Sequence, residues 1–152
     1  RLAGRTLAGC RIARQDGRVL VCREAAAVAA AVAARAGVNR WDGRVRWRLP
    51  AAAVPAGARI GALGEGGLAQ LRARAPQTLE SRAAQAIPAL ARTTLPALFG
   101  SAGTLLAVPH LAYRRVKRGT ARVLPGNCRI LAAQFLAGPL AGARFFGAGS
   151  DL

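Results

Sequence analysis

The chain has 152 residues, which is the size of one domain, and its 23 basic residues against 6 acidic ones give a formal net charge of +17. Such an excess of positive charge attracts polyanions, of which nucleic acid is the commonest. The three cysteines, Cys10, Cys22 and Cys128, are too few and too scattered for a disulfide framework or a zinc site with paired spacing. We expect them to be small buried side chains in a reducing compartment.

The first predicted elements are two short strands, at residues 6–12 and 17–22. Gln15-Asp-Gly17 lies between them and predicts a hairpin turn, because an Asp-Gly pair adopts positive φ at little cost. Residues 24–37 are nearly all alanine. Alanine propensity favours a helix there, but the segment has few large side chains to bury, so it predicts either a weak helix or a mobile connector.

A further strand is expected after the turn Trp41-Asp-Gly-Arg44. Apolar and basic residues alternate in Val45-Arg-Trp-Arg-Leu49, and this period of two predicts a strand with one solvent-exposed face. Residues 58–60 predict another strand. A helical run then extends to Arg74, and Pro76 should end it, because proline removes a backbone donor and clashes with the preceding turn.

The remaining predicted elements are one more helix and two more strands. Ser81 is a good N-cap for a helix that reaches about Leu90, and residues 93–99 and 104–108 predict strands around a glycine-containing turn. Strands and helices therefore follow in mixed order with short connections. This order predicts an α+β fold, a largely antiparallel sheet with short helices, preceded by a β-hairpin.

An apolar segment offers a membrane alternative. Residues 93–113 contain no charged side chain and are followed by the basic run Arg114-Arg-Val-Lys-Arg118, which is the pattern of a spanning helix with a positive flank. Two prolines and two glycines inside the segment would break the backbone hydrogen bonds of such a helix. Two strands and a turn account for the same residues, so we favour the strands.

Few residues suggest catalytic chemistry. The glycine-rich residues 61–67 lie between a predicted strand and helix, where phosphate-binding loops occur, but they match neither a Walker A loop nor GxGxxG, and Glu65 would repel phosphate. A tight turn is the simpler interpretation. His110 is the sole histidine and is expected to be structural, and Asp42 is expected to be a turn residue. No catalytic triad or pair of carboxylates can be assembled.

Basic residues fall into three clusters with few acidic neighbours. Each cluster is either a solvated face or a phosphate-binding surface, and the shortage of acid favours phosphate contact for the last one. Because the chain has only seven aromatic residues, base stacking is not expected to dominate. We predict RNA-binding residues in the second and third clusters, while the first should share one strand face. The clusters are Arg44, Arg46 and Arg48; Arg72, Arg74 and Arg82; and Arg114, Arg115, Lys117 and Arg118.

Seven short motifs follow one another along nearly the whole chain: Thr6-Leu-Ala-Gly-Cys-Arg-Ile12, Val19-Leu-Val-Cys-Arg-Glu24, Trp41-Asp-Gly-Arg44, Ile60-Gly-Ala-Leu-Gly64, Leu95-Pro-Ala-Leu98, Val108-Pro-His-Leu111 and Pro139-Leu-Ala-Gly142. In this order they resemble the region after the catalytic domain in alphaproteobacterial tRNA(Ile)-lysidine synthases. That family uses ATP to attach lysine to the wobble cytidine of an isoleucine tRNA. The resemblance also implies an α+β fold.

The resemblance implies an accessory, tRNA-binding region of a cytoplasmic ligase. The family's catalytic domain carries a Ser-Gly-Gly-x-Asp-Ser loop, and this chain has no such loop; its serines are Ser81, Ser101 and Ser150. We therefore expect no catalytic residue, no metal and no cofactor here, and no activity from this segment alone. ATP with Mg is expected in the catalytic domain. The implied partners are tRNA and that domain, with no membrane.

We expect the sequence to be a piece of a longer protein, because it begins at Arg1 and contains no methionine. Its organisation is interpreted as a β-hairpin at 1–24, an Ala-rich connector at 25–39 and an α+β core at 40–152, with the catalytic domain absent. Two other functions stay open. One is a basic membrane-associated protein that uses residues 93–113, and the other is an unrelated RNA-binding module.

Overall fold

The computed structural model describes residues 5–15, 17–51, 54–115 and 134–135. These residues form an α+β structure of antiparallel sheets and short helices, which confirms the expected fold class. The strands are β1 Arg5–Leu7, β2 Cys10–Gln15, β3 Arg18–Arg23, β4 Val32–Ala33, β5 Gly37–Trp41, β6 Val45–Leu49, β7 Arg59–Ala62, β8 Pro96–Phe99, β9 Leu105–Val108, β10 Tyr113–Arg114 and β11 Gln134–Phe135. The α-helices are α1 Gly64–Arg74, α2 Pro76–Glu80, α3 Arg82–Gln85 and α4 Ala89–Arg92, with 3-10 turns at Ala25–Ala27 and Pro109–Leu111.

The N-terminal sheet has the strand order β1-β2-β3. Its β2–β3 pair is the hairpin expected around residues 15–17. The single strand expected at residues 6–12 is wrong, because the chain reverses at Ala8 and Gly9, whose φ angles are 49° and 72°. Glycine adopts positive φ without steric cost, so Gly9 permits the tight reversal that adds β1 to the sheet.

A second sheet has the strand order β10-β9-β8-β7-β4, and all its pairings are antiparallel. Its edge strand β4 comes from the Ala-rich segment, where Val32 pairs with Ile60. The helix that alanine propensity allowed for residues 24–37 does not form beyond one 3-10 turn. Small side chains let the extended backbone lie close to β7: a Cβ added to Gly61 would stand 2.8 Å from the Cβ of Ala31.

The strands β5 and β6 form a separate hairpin, with β11 paired to β6. Asp42 and Gly43 make its turn with φ angles of 54° and 62°, so the Trp-Asp-Gly-Arg motif is a turn as expected. Along β6 the side chains alternate strictly between buried and exposed, which confirms the expected strand with one solvent-exposed face.

Of the two helices expected between β7 and β8, the first reaches Arg74 as expected and the second is shorter than the sequence suggested. Pro76 follows the end of α1 as expected, and a second short helix, α2, starts at this proline. The hydroxyl of Ser81 accepts a hydrogen bond from the backbone N–H three residues later, which confirms the N-cap. The predicted extension to Leu90 is wrong: α3 ends at Gln85, and Pro88 separates it from α4.

The second sheet lies between two hydrophobic clusters. The first, which we call the tryptophan cluster, joins the inner face of the β5–β6 hairpin to one face of the sheet. Its members include Trp41, Trp47, Leu49, Ile60 and Leu98. The second, the helix cluster, joins the short helices to the other face. Its members include Leu68, Leu71, Ala84, Ala97, Leu105, Val108 and Tyr113.

Candidate nucleic-acid interface

Arginine dominates the charged side chains on the surface of the described part of the chain. Twelve arginines have exposed side chains there, against two exposed acidic residues, Glu65 and Glu80. Most of the positive charge in the described ranges is therefore presented to solvent. The exposed arginines are Arg11, Arg14, Arg18, Arg35, Arg40, Arg46, Arg48, Arg59, Arg72, Arg74, Arg82 and Arg115.

Three of these arginines lie together on the outer face of the β5–β6 hairpin. The register places Arg40 directly opposite Arg46, and Val38 opposite Arg48. Opposite side chains on one face have their Cβ atoms about 4.5–5.5 Å apart, and positions two apart on a strand are separated by about 6.8 Å. The β5 and β6 positions on this face include no acidic residue. We call Arg40, Arg46 and Arg48 the cationic hairpin face.

Arg44 does not join this face, so that part of the sequence expectation is wrong. It precedes β6, and its Nε donates a hydrogen bond of 2.6 Å to Oδ2 of Asp42. Arg40, which the expected clusters omitted, occupies the face instead. The signal was available in the sequence: a hairpin turn at Asp-Gly brings Arg40 across from Arg46.

Asp42 is the acidic centre of the hairpin turn. Its side chain is only 2% exposed and pairs with two guanidinium groups, those of Arg23 and Arg44. Burial raises the pKa of this carboxyl, but hydrogen bonds from the Ala29 backbone N–H, from Arg23 and from Arg44 outweigh burial, so the pKa lies below its ordinary value. The carboxylate is fully engaged in structure, which confirms a turn role for Asp42.

Packing of the inner face of the β5–β6 hairpin holds in place the backbone that also carries the outer face. Trp41 and Trp47 are 2% and 0% exposed, and Nε1 of Trp41 donates to the Ala30 carbonyl at 3.1 Å. The Asn39 side chain accepts from the Arg35 backbone N–H at 2.9 Å and donates to its carbonyl at 2.8 Å. The strands that carry the cationic hairpin face are therefore held by packing and hydrogen bonds on their inner side.

The predicted cluster of Arg72, Arg74 and Arg82 is exposed but not assembled on one face. Arg72 and Arg74 occupy the last turn of α1, and residues two apart on a helix point in different directions. Both cations lie near the negative end of the helix dipole, which gives them a structural role as well. Arg82 begins α3, beyond the intervening α2.

The predicted cluster at residues 114–118 is only partly described. Arg114 is half-buried and Arg115 is exposed, and successive strand residues point to opposite faces. The Arg115 backbone N–H donates to the Leu106 carbonyl at 2.8 Å, which continues the sheet ladder past β10. Lys117 and Arg118 lie outside the described residues. The two described arginines therefore do not form one surface.

The chain was also compared with known proteins. No protein-family model, no curated protein and no solved structure matches it. No residue receives a role from a relative, and the resemblance to lysidine synthases depends on the short sequence motifs alone. The surface that the fold presents is therefore the basis of the proposed function.

The glycine-rich stretch at residues 61–67 is a strand-to-helix turn. Two of its backbone N–H groups already have protein partners: Leu63 donates to the Leu95 carbonyl at 2.7 Å and Gly64 to the Thr93 carbonyl at 2.8 Å. An anion cradle needs such groups to be available. The exposed Glu65 in the first helical turn adds negative charge. These contacts favour the turn interpretation over a phosphate loop.

Other candidate chemistry is sparse in the described ranges. His110 is half-buried in a 3-10 turn, and burial lowers the pKa of its imidazole. Cys10 and Cys22 are free thiols of intermediate exposure; Cys128 lies outside the described residues. In the part of the chain that the structure describes, no group of three or more His, Cys, Asp or Glu residues could hold a metal ion.

The apolar segment at residues 93–113 forms β8, β9, a 3-10 turn and the start of β10. These are the two strands that we favoured over a spanning helix. Among the described residues there is no helix with the length and hydrophobicity needed to cross a membrane.

Proposed function

We propose that this chain binds RNA, mainly through backbone phosphates. The observation that supports the proposal is the set of exposed arginines, which far outnumber the exposed carboxylates in the described ranges. Guanidinium groups donate paired hydrogen bonds to phosphate oxygens and stay charged at all physiological pH values. The described aromatic side chains, Trp41, Trp47, Phe99 and Tyr113, are buried or half-buried, which favours phosphate contact over base stacking.

The RNA in this proposal is tRNA, and the chain is the accessory region of a tRNA(Ile)-lysidine synthase. The seven ordered sequence motifs support this more specific assignment. It places the protein in the cytoplasm, beside a catalytic domain that binds ATP and Mg and joins lysine to the wobble cytidine. The segment's own task is to hold the tRNA while that domain acts.

The salt dependence of binding tests the phosphate mechanism. Fluorescently labelled tRNA is titrated with the 152-residue chain at several salt concentrations. The logarithm of the association constant should fall linearly with the logarithm of salt, with a slope of about 0.7–0.9 per phosphate contacted. Absence of binding at low salt, or binding that salt leaves unchanged, would overturn the proposal.

Two further measurements separate the assignment from its rivals. Pyrophosphate release from ATP by the purified segment should equal the no-protein control, and activity should appear only when the catalytic domain is supplied. An unrelated RNA-binding module would bind ribosomal RNA as tightly as tRNA in competition. A membrane-associated protein would instead require detergent to stay in solution.

A further inference from the structure

The cationic hairpin face brings three arginines together across paired strands. Arg40 and Arg46 are directly opposed across an antiparallel pair, and Arg48 follows on the same face. All three side chains are exposed, so a polyanion lying across the face meets three guanidinium groups at once.

We propose that the cationic hairpin face is the principal phosphate-binding surface of this chain, and that it binds the sugar–phosphate backbone of RNA. The inference rests on the proposed function, and it assigns the principal contact to β5 and β6, ahead of the arginines on α1, on α3 and after β10. Three guanidinium groups, spaced by the strand geometry, form a short row that spans neighbouring phosphates.

Rigidity distinguishes this face from the exposed arginines of the N-terminal hairpin. Each of its three arginines alternates along its strand with residues of the tryptophan cluster, which are at most 2% exposed at Trp41, Trp47 and Leu49. A preorganised backbone lowers the entropy lost on binding. The arginines of the N-terminal hairpin lack this support, because Val19 and Val21 beside them are 65% and 60% exposed.

The test compares two triple variants with the same loss of charge. The first is Arg40→Gln, Arg46→Gln and Arg48→Gln. The control is Arg11→Gln, Arg14→Gln and Arg18→Gln, also three exposed arginines on a hairpin. In β2 and β3, residues alternate between faces, and Arg14 lies on the opposite face from Arg11 and Arg18. The control therefore removes equal charge without removing a shared face.

Labelled tRNA is the probe, and affinity and salt slope are the readouts. We expect the first variant to lose roughly 30-fold or more in affinity at ~0.1 M salt and to lower the salt slope by about 2–3. The control should lose no more than about threefold. Equal losses in the two variants would overturn this inference and leave RNA binding itself intact. Absence of binding by the unmodified chain would overturn the proposed function instead.

A single charge reversal separates binding from folding. Arg40→Glu places a carboxylate opposite Arg46, so the melting temperature should stay unchanged or rise while tRNA affinity falls further than in Arg40→Gln. A lowered melting temperature with unchanged affinity would show that Arg40 serves the fold, and would overturn the inference. Tighter binding of the unmodified chain to phosphatidylcholine–phosphatidylserine vesicles than to tRNA, lost in the first triple variant, would also overturn it.

Discussion

The guanidinium of Arg23 lies 3.1 Å from the carboxylate of Asp42, and this ion pair joins the N-terminal sheet to the turn of the β5–β6 hairpin. Arg23 also donates to the Ala27 carbonyl at 2.6 Å and to the Gly9 carbonyl at 3.2 Å. One arginine thus connects β3, the turn between β1 and β2, and the hairpin turn. Because the N-terminal sheet exposes much apolar surface, this polar connection should matter to its attachment.

Asp42→Ala should destabilise the chain by about 2–3 kcal/mol, because it leaves two guanidinium groups and the Ala29 N–H without their acceptor. The estimate lies below that for a fully buried pair, since the Arg23 and Arg44 side chains remain 21% and 28% exposed. Asp42→Asn is the control: asparagine tolerates positive φ and keeps one acceptor, so its loss should be smaller. Urea unfolding measures both; an Asp42→Asn variant as stable as the unmodified chain would contradict the ion-pair role.

The contribution of Asp42 to the free energy of unfolding should be lost as the pH is lowered. Its folded-state pKa lies below the ordinary value, so the contribution is fully present above the unfolded-state pKa of about 3.9 and is lost as pH falls through the folded-state pKa. Unfolding free energies of the unmodified chain and Asp42→Asn should differ by a constant amount near neutrality and converge in acid. A difference that widens below pH ~4 would contradict this assignment.

The two tryptophans should respond differently to the same substitution. Both are buried, but Trp41 donates to the Ala30 carbonyl, whereas among the described residues Nε1 of Trp47 has no hydrogen-bond partner. Trp→Phe removes similar apolar volume at either site. We expect Trp41→Phe to be more destabilising than Trp47→Phe by about 1–3 kcal/mol in urea unfolding. The reverse order would show that Trp47 has a polar role.

Two glycines should show opposite effects on replacement by alanine. A Cβ at Gly61 would stand 2.8 Å from the Cβ of Ala31, so Gly61→Ala should force β4 away and cost about 1–3 kcal/mol. Gly66 lies within α1 with open space around it, so Gly66→Ala should stabilise by about 0.5–1 kcal/mol. Thermal unfolding gives both signs. Stabilisation by Gly61→Ala would contradict the close approach of β4.

Alanine substitutions at Arg114 and Arg115 should affect different properties of the protein. Arg115→Ala removes an exposed cation, so it should flatten the salt slope of tRNA binding by about 1 and leave the melting temperature nearly unchanged. Arg114 is half-buried, so Arg114→Ala should remove packing and lower the melting temperature. A melting temperature that falls only in Arg115→Ala would reverse this assignment of roles.

Local patterns in the sequence were enough to predict the β2–β3 hairpin, strand β6 and the fold class. The alternation in Val45-Arg-Trp-Arg-Leu49 and the Asp-Gly turns act over a few residues, and the structure retains them. The structure of the Ala-rich segment was harder to predict, because its extended form depends on pairing with β7, which lies far along the chain. The helix propensity of a segment does not indicate which strand the segment will pair with. Here the pairing with β7 outweighs the helix propensity of alanine.

The candidate surface was predicted less well than the fold. Proximity in sequence suggested that Arg114 shares a surface with Arg115, and Arg44 with Arg46. Strand alternation places the first pair on opposite faces. In the second pair, Arg44 instead hydrogen-bonds to Asp42. Arg40 joins Arg46 only through the register across the turn. A surface built from neighbouring strands therefore requires the pairing register, which a count of adjacent basic residues does not contain.

The two hydrophobic clusters carry different chromophores. Both tryptophans of the chain belong to the tryptophan cluster, and its single tyrosine, Tyr113, belongs to the helix cluster. Indole emission during denaturation consequently follows the hairpin side of the second sheet, while phenol absorbance follows the helical side. If the two signals change at one denaturant concentration, both layers unfold as one cooperative unit. If they change separately, the sheet divides the protein into two layers of unequal stability, each with its own intrinsic optical reporter.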